Sequence, residues 1–117
     1  MEYSTIISLD VSDKTSKVCI MSKIAGKKQI LEETTIYTTK DALLAYLKTK
    51  NPTWPVVFET AAHCRWMEKV VKSLGMKPIV ANPAHMRMVT ESNTKNDRND
   101  ARELAKIALA DVELLHP

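Results

Sequence analysis

Two aspartates, Asp97 and Asp100, lie three residues apart in the run K-N-D-R-N-D-A over residues 95–101. They begin a periodic pattern that predicts a helix over 97–110. Residues three apart share one face of a helix, and a rotation of about 100° per residue places Leu104 on that same face. The two carboxylates therefore continue the apolar stripe that should face the core, whereas surface acids normally lie opposite it.

This acid pair has two interpretations. An aspartate at a helix start accepts hydrogen bonds from the first backbone N–H groups and complements the helix dipole, which is a purely structural role. Alternatively, two carboxylates that face inward hold a cation. The pair alone fits the capping interpretation, and the cation interpretation requires further acids close by.

The hydrophobic pattern predicts the elements that must position such acids. Strands are expected over 4–11, 15–23, 29–37, 55–60 and 77–81, and helices over about 39–50, 62–74 and 97–110, with a short helical turn after Asn82-Pro83. The first three strands are close neighbours and predict an antiparallel meander, after which strands alternate with helices. The order βββαβαβ(α)α predicts an α/β fold with a mixed central sheet and helices on both faces.

Two of the predicted strands carry an acid at the carboxyl end, Asp10 in the first and Glu59 in the fourth. A right-handed crossover places the fourth strand parallel to the first. If the two strands are also neighbours, their carboxyl ends lie side by side, and ligand sites of open α/β sheets lie beyond such ends. Asp10 and Glu59 then join Asp97 and Asp100 in one cluster.

A cluster of carboxylates in a partly buried cleft is unfavourable without cations, because each negative charge raises the pKa of its neighbours. Mg²⁺ prefers hard oxygen ligands and keeps water or phosphate oxygens in its remaining positions. Two such ions about 3.5–4 Å apart can activate a nucleophile and stabilise the leaving oxygen of a phosphodiester. The residue types predict two ions of Mg²⁺ or Mn²⁺ rather than Zn²⁺, for which the sequence lacks a Cys/His set.

Composition limits the class of protein. The chain of 117 residues is 44% hydrophobic and 26% charged, which are ordinary values for one globular domain. No stretch reaches the roughly 20 apolar residues that a membrane span needs, and the N-terminus lacks a signal-peptide pattern. Cys19 and Cys64 form no CxxC motif, which predicts free thiols and a cytoplasmic location. The net charge of +3 favours anionic partners.

The acids and their sequence contexts resemble a known family. Asp10 in I-S-L-D-V-S, Glu59 in V-F-E-T-A and the run over residues 95–101 resemble the DEDD signature of RuvC-type nucleases. The order of an I-D-V-like strand, an E-x-T strand end, Asn82-Pro83 before a polar loop, and K-x-D-x-x-D-A is closer still to DEDD-type insertion-sequence transposases. These form the family numbered one hundred and ten, with its Piv-like invertases. The resemblance covers nearly the whole chain.

The resemblance implies a ribonuclease H-like, RuvC-like fold that holds metal ions for DNA cleavage and strand transfer in transposition and site-specific recombination. It implies catalytic and metal-ligating roles for Asp10, Glu59, Asp97 and Asp100, with Asp10 bridging two ions. Family members also carry a C-terminal domain with a serine nucleophile and use a structured guide RNA, and a homo-oligomer is expected of the full-length protein. Residues 1–117 are therefore expected to form the RuvC-like catalytic domain of a larger transposase, without the serine domain, and full recombination is not expected from them alone.

Basic residues close to the acids are candidates for contacts with DNA phosphates. Lys95, Arg98 and Arg87 lie in and around the polar segment before the last helix, and Lys14 follows the first strand. Each of them has an alternative role as a solvated surface charge. Arg102 is a further candidate of this kind. On the predicted helix, Arg98 and Arg102 fall on the side opposite the apolar stripe, so a solvated helix face is the alternative for both.

Two alternative functions stay open at this point. The first is a stand-alone Holliday-junction resolvase of the same fold. The second is a truncated, non-catalytic module that only binds nucleic acid or mediates oligomerisation. An actin-like sugar kinase or ATPase half also ends its first strand in aspartate, but it requires glycine-rich phosphate loops, and Gly26 and Gly75 are the only glycines of the chain.

Overall fold

The computed structural model describes residues 4–59, 63–81 and 100–110. Within them the elements follow the predicted order: β1 Thr5–Val11, β2 Thr15–Ile24, β3 Lys27–Tyr37, α1 Lys40–Leu47, β4 Val56–Glu59, α2 Cys64–Ser73, β5 Pro78–Ala81 and α3 Asp100–Ala110. The predicted helical turn after Asn82-Pro83 and residues 97–99 of the predicted last helix lie outside the described residues.

The strands form one mixed sheet in the order β3-β2-β1-β4-β5. The pairs β1/β2 and β2/β3 are antiparallel, as expected of a meander. The pairs β1/β4 and β4/β5 are parallel, which is the arrangement that right-handed crossovers produce. This topology confirms the predicted mixed sheet and makes β1 the neighbour of β4.

Local sequence explains where several elements begin and end. The β2–β3 hairpin turns at Ala25 and Gly26, whose φ angles of 53° and 79° are the two positive values that a type I′ turn needs. The Thr39 hydroxyl caps α1 by accepting the Ala42 N–H at 3.1 Å. Gly75, with a φ of 78°, follows the end of α2 in the left-handed conformation typical of a helix C-terminus.

Helices cover both faces of the sheet. Helices α1 and α2 pack on one face, where Ile7, Leu9 and Phe58 of the central strands are buried. Helix α3 packs on the other face. Its buried side chains meet the alternate residues of the same strands in one cluster: Ile6, Cys19, Met21, Val57, Ile79, Ala81, Ala101, Leu104, Ala105, Ala108 and Leu109. The alternation of strand side chains therefore assigns the buried residues of the central strands to one of two helical layers.

A further finding bears on the class of protein. No helix in the described ranges is long and apolar enough to cross a membrane.

The Cys19 thiol is free and buried beneath α3, and burial raises its pKa to about 11. The thiol is therefore protonated at neutral pH and is a poor nucleophile. Its free state agrees with the sequence, which predicted free thiols.

Helix α3 should depend on its apolar contacts with the sheet. Leu104 is 2% exposed in the layer between α3 and the strands, so Leu104→Ala removes buried contacts and leaves a cavity. We expect a loss of about 2–5 kcal/mol in the free energy of unfolding, measured by urea denaturation. The control is Lys106→Ala on the exposed side of the same helix, which should cost less than about 0.5 kcal/mol. Equal effects of the two substitutions would contradict this packing.

Candidate functional site

Asp10 and Glu59 lie beside one another at the carboxyl edge of the sheet. In the parallel pairing of β1 with β4, Leu9 is the partner of Phe58, and Asp10 and Glu59 are the next residues of the two strands. Neighbouring strands are about 4.7–4.9 Å apart. Asp10 is half-buried and Glu59 is exposed, so the two acids form the rim of a site that is open to solvent.

Both acids belong to the face of the sheet that α3 covers. Ile6 of β1 and Val57 of β4 are buried against α3. Because side chains alternate along a strand, Asp10, four residues after Ile6, and Glu59, two residues after Val57, are on this same face. The strands thus direct two carboxylates to the side of the sheet on which the last helix lies.

The first turn of α3 is attached to β1 close to these acids. The Ser8 hydroxyl donates a hydrogen bond of 2.6 Å to the carbonyl oxygen of Ala101, and Ser8 is fully buried. Ser8 precedes Asp10 by two residues and shares its face, while Asp100 directly precedes Ala101 as the first residue of α3. The backbone of Asp100 is therefore held at the edge that carries Asp10 and Glu59, as the cluster hypothesis requires.

The remaining predicted carboxylate, Asp97, and the side chain of Asp100 are outside the part of the chain that the structure describes. Within residues 4–59, 63–81 and 100–110, no three or more His, Cys, Asp or Glu side chains are grouped so that they could hold a metal ion. The structure thus brings together Asp10, Glu59 and the start of α3. A site of four carboxylates stays a prediction.

Lys14 is a candidate phosphate contact that lies within the residues that the structure describes. Lys14 is exposed in the turn that follows β1, and its carbonyl oxygen accepts the Thr38 N–H at 2.9 Å, which ties this turn to the start of α1. Lys95, Arg98 and Arg87 lie outside the described residues. Lys14 is therefore placed at the carboxyl edge of β1, the edge that carries Asp10.

Arg102 is exposed, as the helical projection predicted, and it also forms an ion pair that the projection did not predict. Its guanidinium forms a two-point ion pair with Glu33 of β3, with N–O distances of 2.5 and 2.7 Å. The hydrogen bonds from Arg102 lower the pKa of Glu33, so this carboxyl is ionised at neutral pH. The helical projection does not include this partner, because a long side chain can reach from the flank of a helix to the sheet beneath it.

A second polar contact lies at this edge and was not apparent from the sequence. The Trp66 indole N–H donates to His63 Nδ1 at 3.1 Å, and His63 Nε2 is 3.2 Å from Asp13 Oδ1. Because an indole nitrogen only donates, Nδ1 accepts, and Nε2 carries the hydrogen that it donates to Asp13. The contact joins the β1–β2 turn to the start of α2 across 50 residues of sequence, a separation at which spacing carries no signal.

Solved structures with the same architecture define the class of fold. The chain is similar to Thermus thermophilus RuvC in complex with a Holliday junction substrate, with a TM-score of 0.64, 10% identity, and coverage of 86% of this chain and 90% of that one. It is also similar to the fowlpox virus Holliday junction resolvase, with a TM-score of 0.56, 14% identity, and coverage of 93% and 98%. The protein therefore has a RuvC-like, ribonuclease H-like fold.

The sequence itself identifies the family. A family model of DEDD transposases of the IS110 type, described as a transposase, matches residues 7–117. No curated protein matches the chain. The protein belongs to this DEDD transposase family, as the ordered motifs around Asp10, Glu59 and residues 95–101 indicated.

The hydrogen bond from Ser8 should control how firmly the start of α3 is attached. Ser8→Ala removes it, and a hydrogen bond of this kind contributes about 1 kcal/mol. We expect hydrogen exchange of the α3 backbone amides to accelerate about fivefold, since 1 kcal/mol is roughly a factor of five, as measured by mass spectrometry.

The matched control is Ser22→Ala, because Ser22 is also buried and bonds the Thr5 hydroxyl and the Ser4 carbonyl at the opposite end of the same strands. In this variant, the ratio of the amide exchange rates in α3 to those in the sheet should stay as in the wild type. Similar acceleration in both variants would show that the Ser8 hydroxyl does not specifically anchor α3.

Proposed function

We propose that the protein cleaves phosphodiester bonds of DNA in transposition, in a reaction that depends on Mg²⁺ or Mn²⁺ held by Asp10, Glu59, Asp97 and Asp100. The observation that carries the proposal is the adjacency of Asp10 and Glu59 on one face of two parallel strands, with the start of α3 anchored over that face. Membership of a transposase family supplies the reaction class.

The donor chemistry at this edge fits a hard divalent cation. Asp10 and Glu59 offer carboxylate oxygens, which Mg²⁺ and Mn²⁺ prefer. Cys19 lies on the same face of the sheet, and its protonated, buried thiol does not favour a site for Zn²⁺. Partial exposure of the two acids leaves room for water and for phosphate oxygens beside them.

The chain contributes to the proposed reaction mainly by positioning. Asp10 and Glu59 project from strands in the interior of the sheet, with β2 and β5 on either side, so their backbones are held by hydrogen bonds on both sides. Asp100 is brought to the same edge by the bond between Ser8 and Ala101. When bound, two metal ions activate the attacking oxygen and stabilise the leaving oxygen.

In this proposal, Asp97 and Asp100 have both of the roles that their spacing suggests, helix capping and metal binding. A carboxylate at the start of α3 is favoured by the helix dipole, and this holds whether or not a cation is bound. In the proposed site, the same carboxylate would also bind the metal ion together with the acids of β1 and β4. Capping and metal binding are therefore compatible roles for one pair of residues.

DNA is the proposed macromolecular partner. Lys14, Lys95, Arg98 and Arg87 are the proposed phosphate contacts, and the basic balance of the chain, with 17 Lys and Arg against 14 Asp and Glu, favours an anionic partner. Family membership is also our basis for proposing a structured guide RNA, a homo-oligomer and a cytoplasmic location.

A second candidate is resolvase activity on a four-way DNA junction. The basis for this candidate is that one similar structure is RuvC with a Holliday junction substrate. Both functions use the same acidic edge, and they differ in the DNA that is selected. Selective cleavage of a four-way junction over linear duplex by this chain would favour the resolvase function over the transposase function.

Removal of either described acid should abolish metal binding and cleavage. At a Mn²⁺ concentration ten times the Kd, linkage stabilises the wild type by about 1.4 kcal/mol, which raises its thermal midpoint by roughly 5–10 °C. We expect Asp10→Asn and Glu59→Gln to lose this shift, because each removes a charged ligand. Cleavage should fall about 10³-fold or more, since metal stabilisation of the transition state is worth several kcal/mol.

Glu68→Gln is the matched control, because Glu68 lies on α2, on the opposite face of the sheet, and pairs with Lys72 at 3.4 Å. It should keep both the Mn²⁺ shift and the cleavage rate. The proposal would be wrong if Asp10→Asn kept the full Mn²⁺ shift, or if wild-type cleavage continued unchanged in a chelator.

A further inference from the structure

A lysine lies directly beside the acidic pair on the α3 face of the sheet. In the antiparallel pairing of β1 with β2, the partner of Asp10 is Lys17, and in the pairing of β2 with β3 the partner of Lys17 is Thr35. Directly opposed residues share a face, with Cβ atoms about 4.5–5.5 Å apart. A row of side chains thus crosses four strands in the order Glu59, Asp10, Lys17 and Thr35. In this row the positive charge of Lys17 lies next to the acids.

This row opens into a groove beside the first turn of α3. The groove lies between the helix and strands β2 and β3, and it is partly open to solvent. Its lining residues are Lys17, Val18, Glu33, Thr34, Thr35, Ala101 and Arg102. Ala101 is the residue whose carbonyl bonds Ser8, so one end of the groove meets the acidic edge where α3 begins.

The two lining cations have different surroundings. Arg102 is bound at two points by Glu33, with distances of 2.5 and 2.7 Å, so its charge is balanced and the pair forms the wall between α3 and β3. Lys17 is exposed and lies next to Asp10 in the strand register. Within the groove, Lys17 is therefore the cation placed to meet a ligand that approaches the acids.

We propose that this groove is the path by which a DNA strand reaches the acidic edge, and that Lys17 binds a phosphate next to the one to be cleaved. The inference rests on the proposed DNA-cleaving function and adds to it a route and a positioning residue. A lysine ammonium is a compact charge with three donors, and the Thr35 hydroxyl beside it is a further donor of the kind that contacts phosphates. The negative charge of a phosphate complements Lys17, whereas an edge that carried only acids would repel the phosphate.

A rival role for Lys17 is to offset the charge of Asp10 within the protein. The two roles differ in what they affect. If Lys17 is an internal counter-charge, its removal changes the stability of the metal-free protein and the affinity for Mn²⁺, and the affinity for DNA stays the same. A phosphate contact changes DNA affinity and its dependence on salt, because each contact with single-stranded DNA releases about 0.7 counterion.

The test measures binding of a fluorescent single-stranded oligonucleotide to this chain in chelator, from 50 to 150 mM salt, by anisotropy. For Lys17→Gln we expect the slope of log K against log salt to become shallower by about 0.7. The corresponding loss of affinity is about eightfold at 50 mM salt and about fourfold at 150 mM. The thermal shift with Mn²⁺, measured without DNA, should stay as in the wild type.

The matched control is Lys23→Gln, because Lys23 is an exposed lysine on the same strand, at the far end, where it pairs with Lys28. It should change neither the slope nor the affinity by more than twofold. Equal effects of both variants, an unchanged affinity in Lys17→Gln, or wild-type binding too weak to detect at 50 mM salt would each overturn the proposal.

The same data separate this inference from the proposed function. If the route is wrong and the function right, Lys17→Gln binds DNA normally, while Asp10→Asn still loses its Mn²⁺ shift and cleavage. If the function is wrong, Asp10→Asn keeps its Mn²⁺ shift, whatever the behaviour of Lys17→Gln.

Discussion

The parallel pairing of β1 with β4 is the constraint on which the rest of the site depends. It places the carboxyl ends of the two strands together and puts Asp10 and Glu59 on one face. An antiparallel pairing of the same strands would separate these acids by the length of a strand. Helices α1 and α2 fill the opposite face, and among the described elements α3 is the one that covers the acidic face.

The attachment of α3 completes the edge. Its packing is made mostly by small and aliphatic side chains, among them Ala101, Leu104 and Ala105, which let the helix approach the sheet closely. Polar contacts of its described residues also position it: Ser8 bonds the first turn, and Arg102 bonds Glu33 on the far strand. Burial supplies most of the stabilisation, while these directional contacts define where along the sheet the helix begins.

Much of this arrangement follows from local pattern. Strand alternation and crossover handedness were sufficient to predict the mixed sheet and the parallel direction of β1 and β4. That these two strands are neighbours, which places Asp10 beside Glu59, was a condition that the sheet order met. The contacts between Ser8 and Ala101 and between Arg102 and Glu33 join residues 93 and 69 apart, and such partners leave no periodic signal. Lys17 could be placed beside Asp10 only from the register of β1 and β2. A shift of that register by one residue would move every side chain of the strand to the opposite face. Local chemistry was therefore predictable, and long-range partners were not.

The central claim is that Asp10 and Glu59 join the start of α3 in a divalent-cation site. A crystal of this chain soaked in Mn²⁺ and measured at a wavelength suited to anomalous scattering tests it most directly. We expect anomalous density about 2.1 Å from carboxylate oxygens of Asp10 and Glu59, with Asp97 or Asp100 as a further ligand. A well-ordered structure in which the carboxyl groups of Asp97 and Asp100 lie more than about 10 Å from that of Asp10, beyond the few ångströms that shared ligation of Mn²⁺ allows, would contradict it.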